Sequence, residues 1–172
     1  MPVSSKNSRE FNVTSLIFLH LLIVLPLAYF LNIWADEAST LYTTQHGFMT
    51  AFQHAAVNEK QVPLYFWIMS LWRLINDSIF FARLFSIICS LAAIKIFAGL
   101  ASRFLPSRAA VLTTGFFAFH PFLIWASLEI RVYSLVILLS VLLMRLFFDG
   151  FFEEGHAKTR ETQTKIRILF LL

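Results

Sequence analysis

The sequence predicts an all-α membrane protein, a multi-pass transmembrane helix bundle with interfacial helices in a long first outer loop. Hydrophobic residues make up 58% of the 172 residues, charged residues make up only 14%, and mean hydropathy is +0.72. Soluble domains are typically about half apolar and about a quarter charged. Because the apolar excess lies in long continuous blocks, it indicates bilayer spans rather than a larger soluble core.

Four apolar blocks are long enough to be spans, since a helix needs about 20 residues to cross the hydrocarbon core. The predicted spans cover residues 11–33, 78–101, 109–127 and 132–148. The first exceeds the signal-peptide core of about 7–15 residues, so we expect it to be retained. Residues 166–172 look like the start of a fifth span that stops early. We therefore expect the chain to be the N-terminal part of a longer protein, or a truncation of one.

The predicted outer loop covers residues 34–77 and contains an apolar, aromatic stretch from Pro63 to Ile75. Thirteen helical residues extend about 20 Å, which is too short for a hydrocarbon core of about 30 Å. Trp67 and Trp72 are of the residue type that favours the membrane interface. The stretch is therefore predicted to be a helix lying on the membrane surface.

The positions of the basic residues predict the orientation. With a cytoplasmic N-terminus, eight Lys and Arg residues fall in cytoplasmic segments and four fall in outer segments, as the positive-inside rule requires. If residues 63–75 crossed the bilayer, Arg103 and Arg108 would move outside and this bias would weaken. We expect an integral protein of the plasma membrane, or of a bacterial inner membrane. Because the net charge of +4 lies at span ends rather than on one soluble face, no nucleic-acid partner is expected.

This orientation puts two groups of charged residues on the same outer side. Asp36 and Glu37 follow the first span, and Glu129 and Arg131 lie between the third and fourth spans. They are far apart in the sequence, but both groups lie at the outer edge of the membrane. The fold is expected to bring them together.

Four segments, taken in order, resemble the GT-C glycosyltransferases that use polyprenyl-phosphate sugars, of the protein O-mannosyltransferase and aminoarabinose transferase type. The segments are Trp34-Ala35-Asp36-Glu37, Glu59-Lys60-Gln61-Val62-Pro63-Leu64-Tyr65-Phe66-Trp67, Leu71 to Ser78 running into Ala82-Arg83-Leu84-Phe85-Ser86, and Pro121-Phe122-Leu123-Ile124 followed by Ser127 to Tyr133. The sequence departs from the family pattern at Gln61-Val62, Phe85, Leu128 and Ile130. These departures keep the charged positions but leave the substrate class open.

The resemblance implies that a sugar moves from a polyprenyl-phosphate donor to a lipid, glycan or protein acceptor at the outer face, among membrane lipids. Such a transfer needs a cation to stabilise the leaving phosphate and a base to take the acceptor's proton. The expected catalytic residues are Asp36, as the general base, and Glu37. The expected donor-phosphate ligands are Lys60, Arg83 and Arg131. The expected supporting residues are Glu59, Glu129, Tyr65 and Tyr133.

Cofactors and simpler roles stay open at this point. A divalent metal ion held by Asp36 and Glu129 is one expectation, and no cofactor at all is the other. Asp36 and Glu37 are equally the kind of polar residues that end a span. Arg83 and Arg131 at span ends are typical headgroup anchors.

Two other functions compete with sugar transfer. A transporter or flippase would place charges within its spans along a pathway, whereas here charge gathers in one outer loop. A catalytically inactive scaffold with a degenerate glycosyltransferase fold is not distinguished from an active enzyme by the sequence.

Overall fold

The computed structural model describes residues 4–45, 49, 51 and 63–151, with side chains from residue 13 onward. Seven helices have defined bounds within these ranges, and no strand occurs in them. The helices are α1 (Ser4–Phe30), α2 (Ala35–Gln45), α3 (Leu64–Arg73), α4 (Ile79–Phe104), α5 (Ser107–Ala118), α6 (Pro121–Leu128) and α7 (Tyr133–Phe151). Lys60, Glu59 and the predicted start of a fifth span at residues 166–172 lie outside the described residues.

Three of these helices are long and apolar enough to cross a membrane. The candidate spans are Val13–Phe30 of α1, Ile79–Phe104 and Tyr133–Phe151. Large apolar side chains remain exposed on the outer faces of α1 and α7, such as Phe18 and Leu143. Bilayer lipid is the solvent that such surfaces fit. The prediction of transmembrane helices is confirmed to that extent, while the full multi-pass topology stays a prediction.

The predicted third span, residues 109–127, is not one straight helix. The helix direction changes by 50° between α5 and α6. The two helices make a fourth candidate span only if the bent pair is counted as one span. Pro121 is the first residue of α6, and it has no N–H to continue the helical ladder. His120, which precedes the proline, is extended (φ −61°, ψ 130°), as residues before proline prefer. Its Nδ1 accepts a hydrogen bond from the Phe122 N–H at 3.2 Å and so caps α6.

A buried histidine of α1 occupies the break between α5 and α6. In a continuous helix the Ala118 carbonyl would accept a hydrogen bond from the Phe122 N–H. Here that N–H donates to the His120 side chain, which leaves the Ala118 carbonyl without its helical donor. His20 Nδ1 donates to this carbonyl instead at 2.8 Å, and its Nε2 lies 3.3 Å from Ser127 Oγ. His20 is fully buried. It therefore ties α1 to both halves of the bent pair.

Helix α4 lies at the centre and packs against α1, α3, α5, α6 and α7. Its buried positions include small residues, which let helices approach closely. They include Ala82, Ser86, Cys89, Ser90, Ala93 and Ala98. Ser86 Oγ donates to the Glu129 carbonyl at 2.6 Å, which fixes the turn between α6 and α7 against α4.

Charged residues form two clusters, each at a place where several helices end. The C-terminal end of α1, helix α2, the start of α4 and the α6–α7 turn meet around Glu37 and Arg83. At the other end of α4, Arg103 forms an ion pair with Asp149 of α7. The predicted catalytic acids thus lie at one end of the helices. That this end faces outward remains a prediction.

Helix α3 (Leu64–Arg73) is three residues shorter than the thirteen-residue stretch from Pro63 to Ile75 that the sequence predicted as a surface helix. Its ten residues extend about 15 Å, which is too short to cross a bilayer. Tyr65, Phe66 and Met69 face the core at the i, i+1, i+4 spacing of one helix side. Trp72, at its end, stacks on Phe81 of α4 at a centroid distance of 4.7 Å. The helix therefore packs on the protein, and its placement at the membrane surface stays a prediction.

Candidate functional site

Glu37 is the buried anchor of the site. Its side chain is fully inaccessible, and each carboxylate oxygen accepts two hydrogen bonds. Oε1 accepts from Arg83 Nε (3.1 Å) and the Ile130 N–H (3.0 Å), and Oε2 accepts from Arg83 Nη2 (2.8 Å) and the Trp34 N–H (3.1 Å). The bond to Trp34 is the returning half of a capping box, in which the third helical residue binds the N–H of the cap. Glu37 therefore fixes the start of α2 against α4 and the α6–α7 turn.

The guanidinium of Arg83 donates all its hydrogen bonds to groups within the protein. Besides its two bonds to Glu37, Nη1 donates to the carbonyls of Ala28 (2.9 Å) and Leu31 (2.7 Å), and Nη2 donates to that of Asn32 (3.0 Å). These five bonds use all five N–H groups of the guanidinium. The expected roles of Glu37 as a catalytic acid and of Arg83 as a donor-phosphate ligand do not fit this arrangement. The pair instead fixes the end of α1 and the start of α2.

Asp36 has the opposite environment, although it is next in sequence to Glu37. Its side chain is 71% exposed in the first turn of α2, where a negative charge is favourable to the helix dipole. Arg131 Nη2 lies 4.0 Å from its Oδ2, and Arg131 Nη1 donates to the Asp36 carbonyl at 3.3 Å. Arg131 is buried and also donates to Thr40 Oγ1 at 3.3 Å. The structure thus brings Asp36 and Arg131 together, as the sequence predicted.

An open cleft of about 330 Å³ lies in front of Asp36. The residues that line it are Trp34, Ala35, Asp36, Trp125 and Glu129. They come from the α1–α2 connection, the start of α2, and α6 with the turn that follows it. The cleft therefore combines two carboxylates with two indole rings.

Glu129 is the second carboxylate of the cleft and is 94% buried, with 6% of its surface exposed. Burial raises its pKa above the ordinary value, and the nearby carboxylates of Glu37 and Asp36 raise it further. Arg83 and Arg131 lower the same pKa, but the net direction is upward. Glu129 is thus more readily protonated than an ordinary glutamate and can serve as a hydrogen-bond donor when protonated.

The aromatic side of the cleft is supported by ring contacts of Trp125 with two neighbouring aromatic side chains, both in a tilted arrangement. Trp125 is 41% exposed, and its ring lies 4.9 Å from that of Tyr133 and 5.5 Å from that of Phe122. Trp34, the other indole of the lining, is 67% exposed. Tyr133, expected as a supporting residue, therefore contacts the ring of a cleft residue and does not itself line the cleft.

Tyr65 lies beneath this region, on the buried face of α3. Burial raises its pKa well above 10.0, while the charge of Arg131 lowers it and the carboxylates of Glu37 and Glu129 raise it. Its hydroxyl is buried without a hydrogen-bond partner. Tyr65 thus remains a neutral phenol close to the charged cluster.

Comparisons of the chain with models of known protein families, with curated proteins and with solved structures find no significant match. The function is therefore argued from the geometry of the cleft and from the four sequence segments described above.

The two carboxylates of the cleft fit a hard cation such as magnesium better than they fit zinc. Within the described residues, no group of three or more His, Cys, Asp or Glu side chains is placed to hold a metal. Asp36 and Glu129 share the cleft, and magnesium is often held by one or two carboxylates together with water and substrate phosphates. Zinc sites use three or four protein ligands, which these two carboxylates do not supply.

The sequence analysis missed Trp34 and Trp125. Their positions in the sequence indicate a role, because a tryptophan directly precedes Ala35-Asp36 and another lies four residues before Glu129. Such positions do not by themselves predict a binding site, because tryptophans near span ends are common interface anchors. Arg73, which is buried against α2, was also overlooked since its partners lie about thirty residues away.

Proposed function

We propose that this protein is a GT-C-type membrane glycosyltransferase. It moves a sugar from a polyprenyl-phosphate donor to a hydroxyl of a lipid, glycan or protein acceptor at the outer face of the membrane. The observation that carries the proposal is the exposed carboxylate of Asp36 beside the buried Arg131, at the mouth of a cleft formed at the ends of candidate spans.

In the proposed reaction, the acceptor oxygen attacks the anomeric carbon of the donor sugar. The bond between that carbon and the phosphate oxygen breaks, and its electron pair leaves with the polyprenyl phosphate. Asp36 takes the proton of the acceptor hydroxyl. A positioned general base typically contributes about 10²–10⁴-fold to a rate. The exposure of Asp36 supports this assignment because the acceptor can reach its oxygens.

Arg131 is the proposed partner of the leaving phosphate. Its guanidinium is held beside Asp36 by bonds to a backbone carbonyl and to Thr40. A fixed cation stabilises the charge that develops on the phosphate without having to reorganise. Lys60, which lies outside the described residues, remains a second proposed phosphate ligand.

Glu129 is proposed to orient the sugar or to hold a divalent ion together with Asp36. Its raised pKa favours the first role, because a protonated carboxyl donates a hydrogen bond to a sugar oxygen. A bound magnesium ion would supply charge neutralisation at the phosphate. In either role, Trp34 and Trp125 offer apolar ring faces to the donor.

The placement of charge favours this proposal over a transporter. The buried charged residues of the described chain are Glu37, Arg73, Arg83, Glu129 and Arg131. The ionic contacts that connect Glu37, Arg83, Arg131 and Asp36 lie at one end of the helices, not along a path through them. Such clustering suits chemistry at the membrane interface more than passage across it.

The direct test is a transfer assay on the full-length protein in proteoliposomes. Polyprenyl-phosphate donors carrying a labelled hexose, pentose or aminosugar are supplied with lipid, glycan and peptide acceptors, and labelled product is measured. Transfer from at least one donor that depends on intact Asp36 supports the proposal. Binding of donors without any transfer or sugar release would instead indicate the inactive scaffold.

A further inference from the structure

A second polar pocket lies at the C-terminal end of α2, whereas the cleft lies at the start of that helix. Its volume is about 230 Å³, and it shares no lining residue with the cleft. The residues that line it are Thr44, Gln45, Ser70, Leu71, Arg73, Leu74 and Asp77. They belong to the end of α2, the second half of α3 and the connection to α4.

Arg73 is the central residue of this pocket and is only 9% exposed. Nη1 donates to the Leu41 carbonyl and to Thr44 Oγ1, each at 2.7 Å, so the guanidinium is fixed against α2. Nη2 lies 3.1 Å from Asp77 Oδ1. The Nε–H is buried and has no acceptor among the residues that the structure describes. Within the described residues, the Arg73 guanidinium is therefore fixed through Nη1 and Nη2, and its Nε–H remains a donor for a ligand.

Ser70 lies one turn before Arg73 on the same side of α3. It is only 7% exposed, and its hydroxyl is also buried, with no hydrogen-bond partner within the described ranges 4–45 and 63–151. Native structures rarely leave buried polar atoms unsatisfied, and such atoms call for an explanation such as a ligand or an ordered water. Two of them from one helix turn, on residues that line one pocket, point to a ligand with oxygen atoms.

The rest of the lining indicates the kind of ligand. A volume of about 230 Å³ is below the roughly 300–1,000 Å³ of pockets for drug-sized molecules, and suits a small polar group. Leu71 and Leu74 line the same pocket and are 57% and 81% exposed, which gives it an apolar rim. A cationic floor with an apolar rim fits the head and upper chain of an anionic amphiphile.

The Asp77 carboxylate pairs with the Arg73 guanidinium at the position where an anionic ligand would bind. Its side chain is 80% exposed, so its pairing with the guanidinium is of the exposed kind that contributes little and is easily exchanged. A phosphate presents several acceptor oxygens, and arginine binds it through two parallel N–H donors. Such a group can displace the Asp77 carboxylate and also reach Nε and the Ser70 hydroxyl.

We propose that this pocket binds the phosphate of an anionic membrane phospholipid. The phosphate oxygens replace the Asp77 carboxylate on Arg73 and accept hydrogen bonds from Arg73 Nε and Ser70 Oγ. The acyl chains leave over Leu71 and Leu74. Because Arg73 also holds Leu41 and Thr44, the bound lipid ties the end of α2 to the headgroup layer. The inference does not depend on the proposed sugar transfer.

The test uses the full chain in phosphatidylcholine nanodiscs, with phosphatidylglycerol titrated in and bound lipid counted by native mass spectrometry. Asp77→Asn removes the competing carboxylate, and phosphatidylglycerol should bind about three- to fivefold more tightly. Arg73→Gln should lose the specific binding. Arg108→Gln, which changes an exposed basic residue in the first turn of α5, is the control and should leave this binding unchanged.

Asp77→Asn keeps the test decisive if Arg73→Gln fails to fold, because Asp77 is exposed and holds no other element in place. Unchanged or weaker binding in Asp77→Asn would overturn the proposal. An equal loss in Arg108→Gln would also overturn it, since that result indicates general attraction to basic residues. A final arm adds inorganic phosphate: full displacement of the lipid at equal concentration would show that free phosphate, not a lipid, is the ligand.

Discussion

The Asp36-Glu37 pair divides into one exposed and one buried carboxylate. The side chain of Asp36 is 71% exposed, whereas that of Glu37 is fully buried against Arg83. Neighbouring positions on a helix with 3.6 residues per turn are about 100° apart, so two adjacent acids cannot face the same partner. The buried acid fixes the helix, and this fixes the position of the exposed acid at the cleft.

Replacing Glu37 with leucine should destabilise the protein strongly. The substitution leaves Arg83 buried with no counter-charge, and removing one member of a buried ion pair typically costs about 3–5 kcal/mol. The double variant Glu37→Leu/Arg83→Met should recover part of this loss, because it removes both charges. Unfolding is measured by denaturant titration in mild detergent.

Asp77→Asn is the matched control for that experiment. It removes a carboxylate from an arginine pair in which the acid is 80% exposed, so stability should hardly change. A Glu37→Leu variant as stable as Asp77→Asn would mean that the ion pair does not hold the start of α2.

Asp36→Asn should abolish most sugar transfer while leaving the fold intact. The exposed carboxylate makes no bond that holds two elements together other than the long contact with Arg131, and loss of a general base costs about 10²–10⁴-fold in rate. The turnover number should fall far more than donor binding. Initial rates with labelled donor in proteoliposomes measure this, with Arg108→Gln, which changes an exposed residue at the start of α5, as the control that keeps wild-type activity. A full rate in Asp36→Asn would remove it from the mechanism.

Glu129 should make the stability of the folded protein depend on pH. Its pKa in the folded protein is raised above the ordinary value of 4.5, so the folded state binds its proton more tightly than the unfolded state. Stability from this group is therefore fully present below pH 4.5 and falls as the pH rises through the folded-state pKa. Glu129→Gln should flatten this slope and be at least as stable as the wild type at neutral pH.

Thermal melting in detergent across the acid-to-neutral range measures the slope. The Asp77→Asn variant serves as the comparison, since it removes an acid whose side chain is exposed. If wild type and Glu129→Gln lost stability in parallel over this range, the raised pKa of Glu129 would have no role in folding.

Much of the fold was predictable because apolar run length directly reflects bilayer thickness. Residues 11–33, 78–101 and 132–148 correspond to α1, α4 and α7, with ends displaced by a few residues. The sequence predicted residues 109–127 as one span, and the pair His120-Pro121 did not by itself predict a bend of 50° there. Periodicity alone does not show that a histidine on another helix, His20, takes the carbonyl that the break leaves open.

For the site, the sequence could predict only that charged residues from different segments lie close together. That Asp36 and Arg131 approach each other followed from topology, because both lie at the same end of their spans. Which charged side chains are exposed did not follow, since the N–H groups of Arg83 are taken by Glu37 and by three carbonyls at and just after the end of α1. Sequence patterns carry no direct record of such backbone contacts.

The orientation of the cleft is open to a direct test by cysteine labelling. The chain has one cysteine, Cys89, and it is only 4% exposed, so background reaction should be low. Ala38→Cys lies on an exposed position of α2 beside the cleft end, and Arg108→Cys lies at the opposite end of α4. Because the basic residues predict a cytoplasmic N-terminus, an impermeant maleimide should label Ala38→Cys in intact cells and Arg108→Cys only after permeabilisation. Labelling of both in permeabilised cells controls for reactivity. The reverse pattern would put Asp36 on the cytoplasmic side, where it could not act on a donor presented at the outer face.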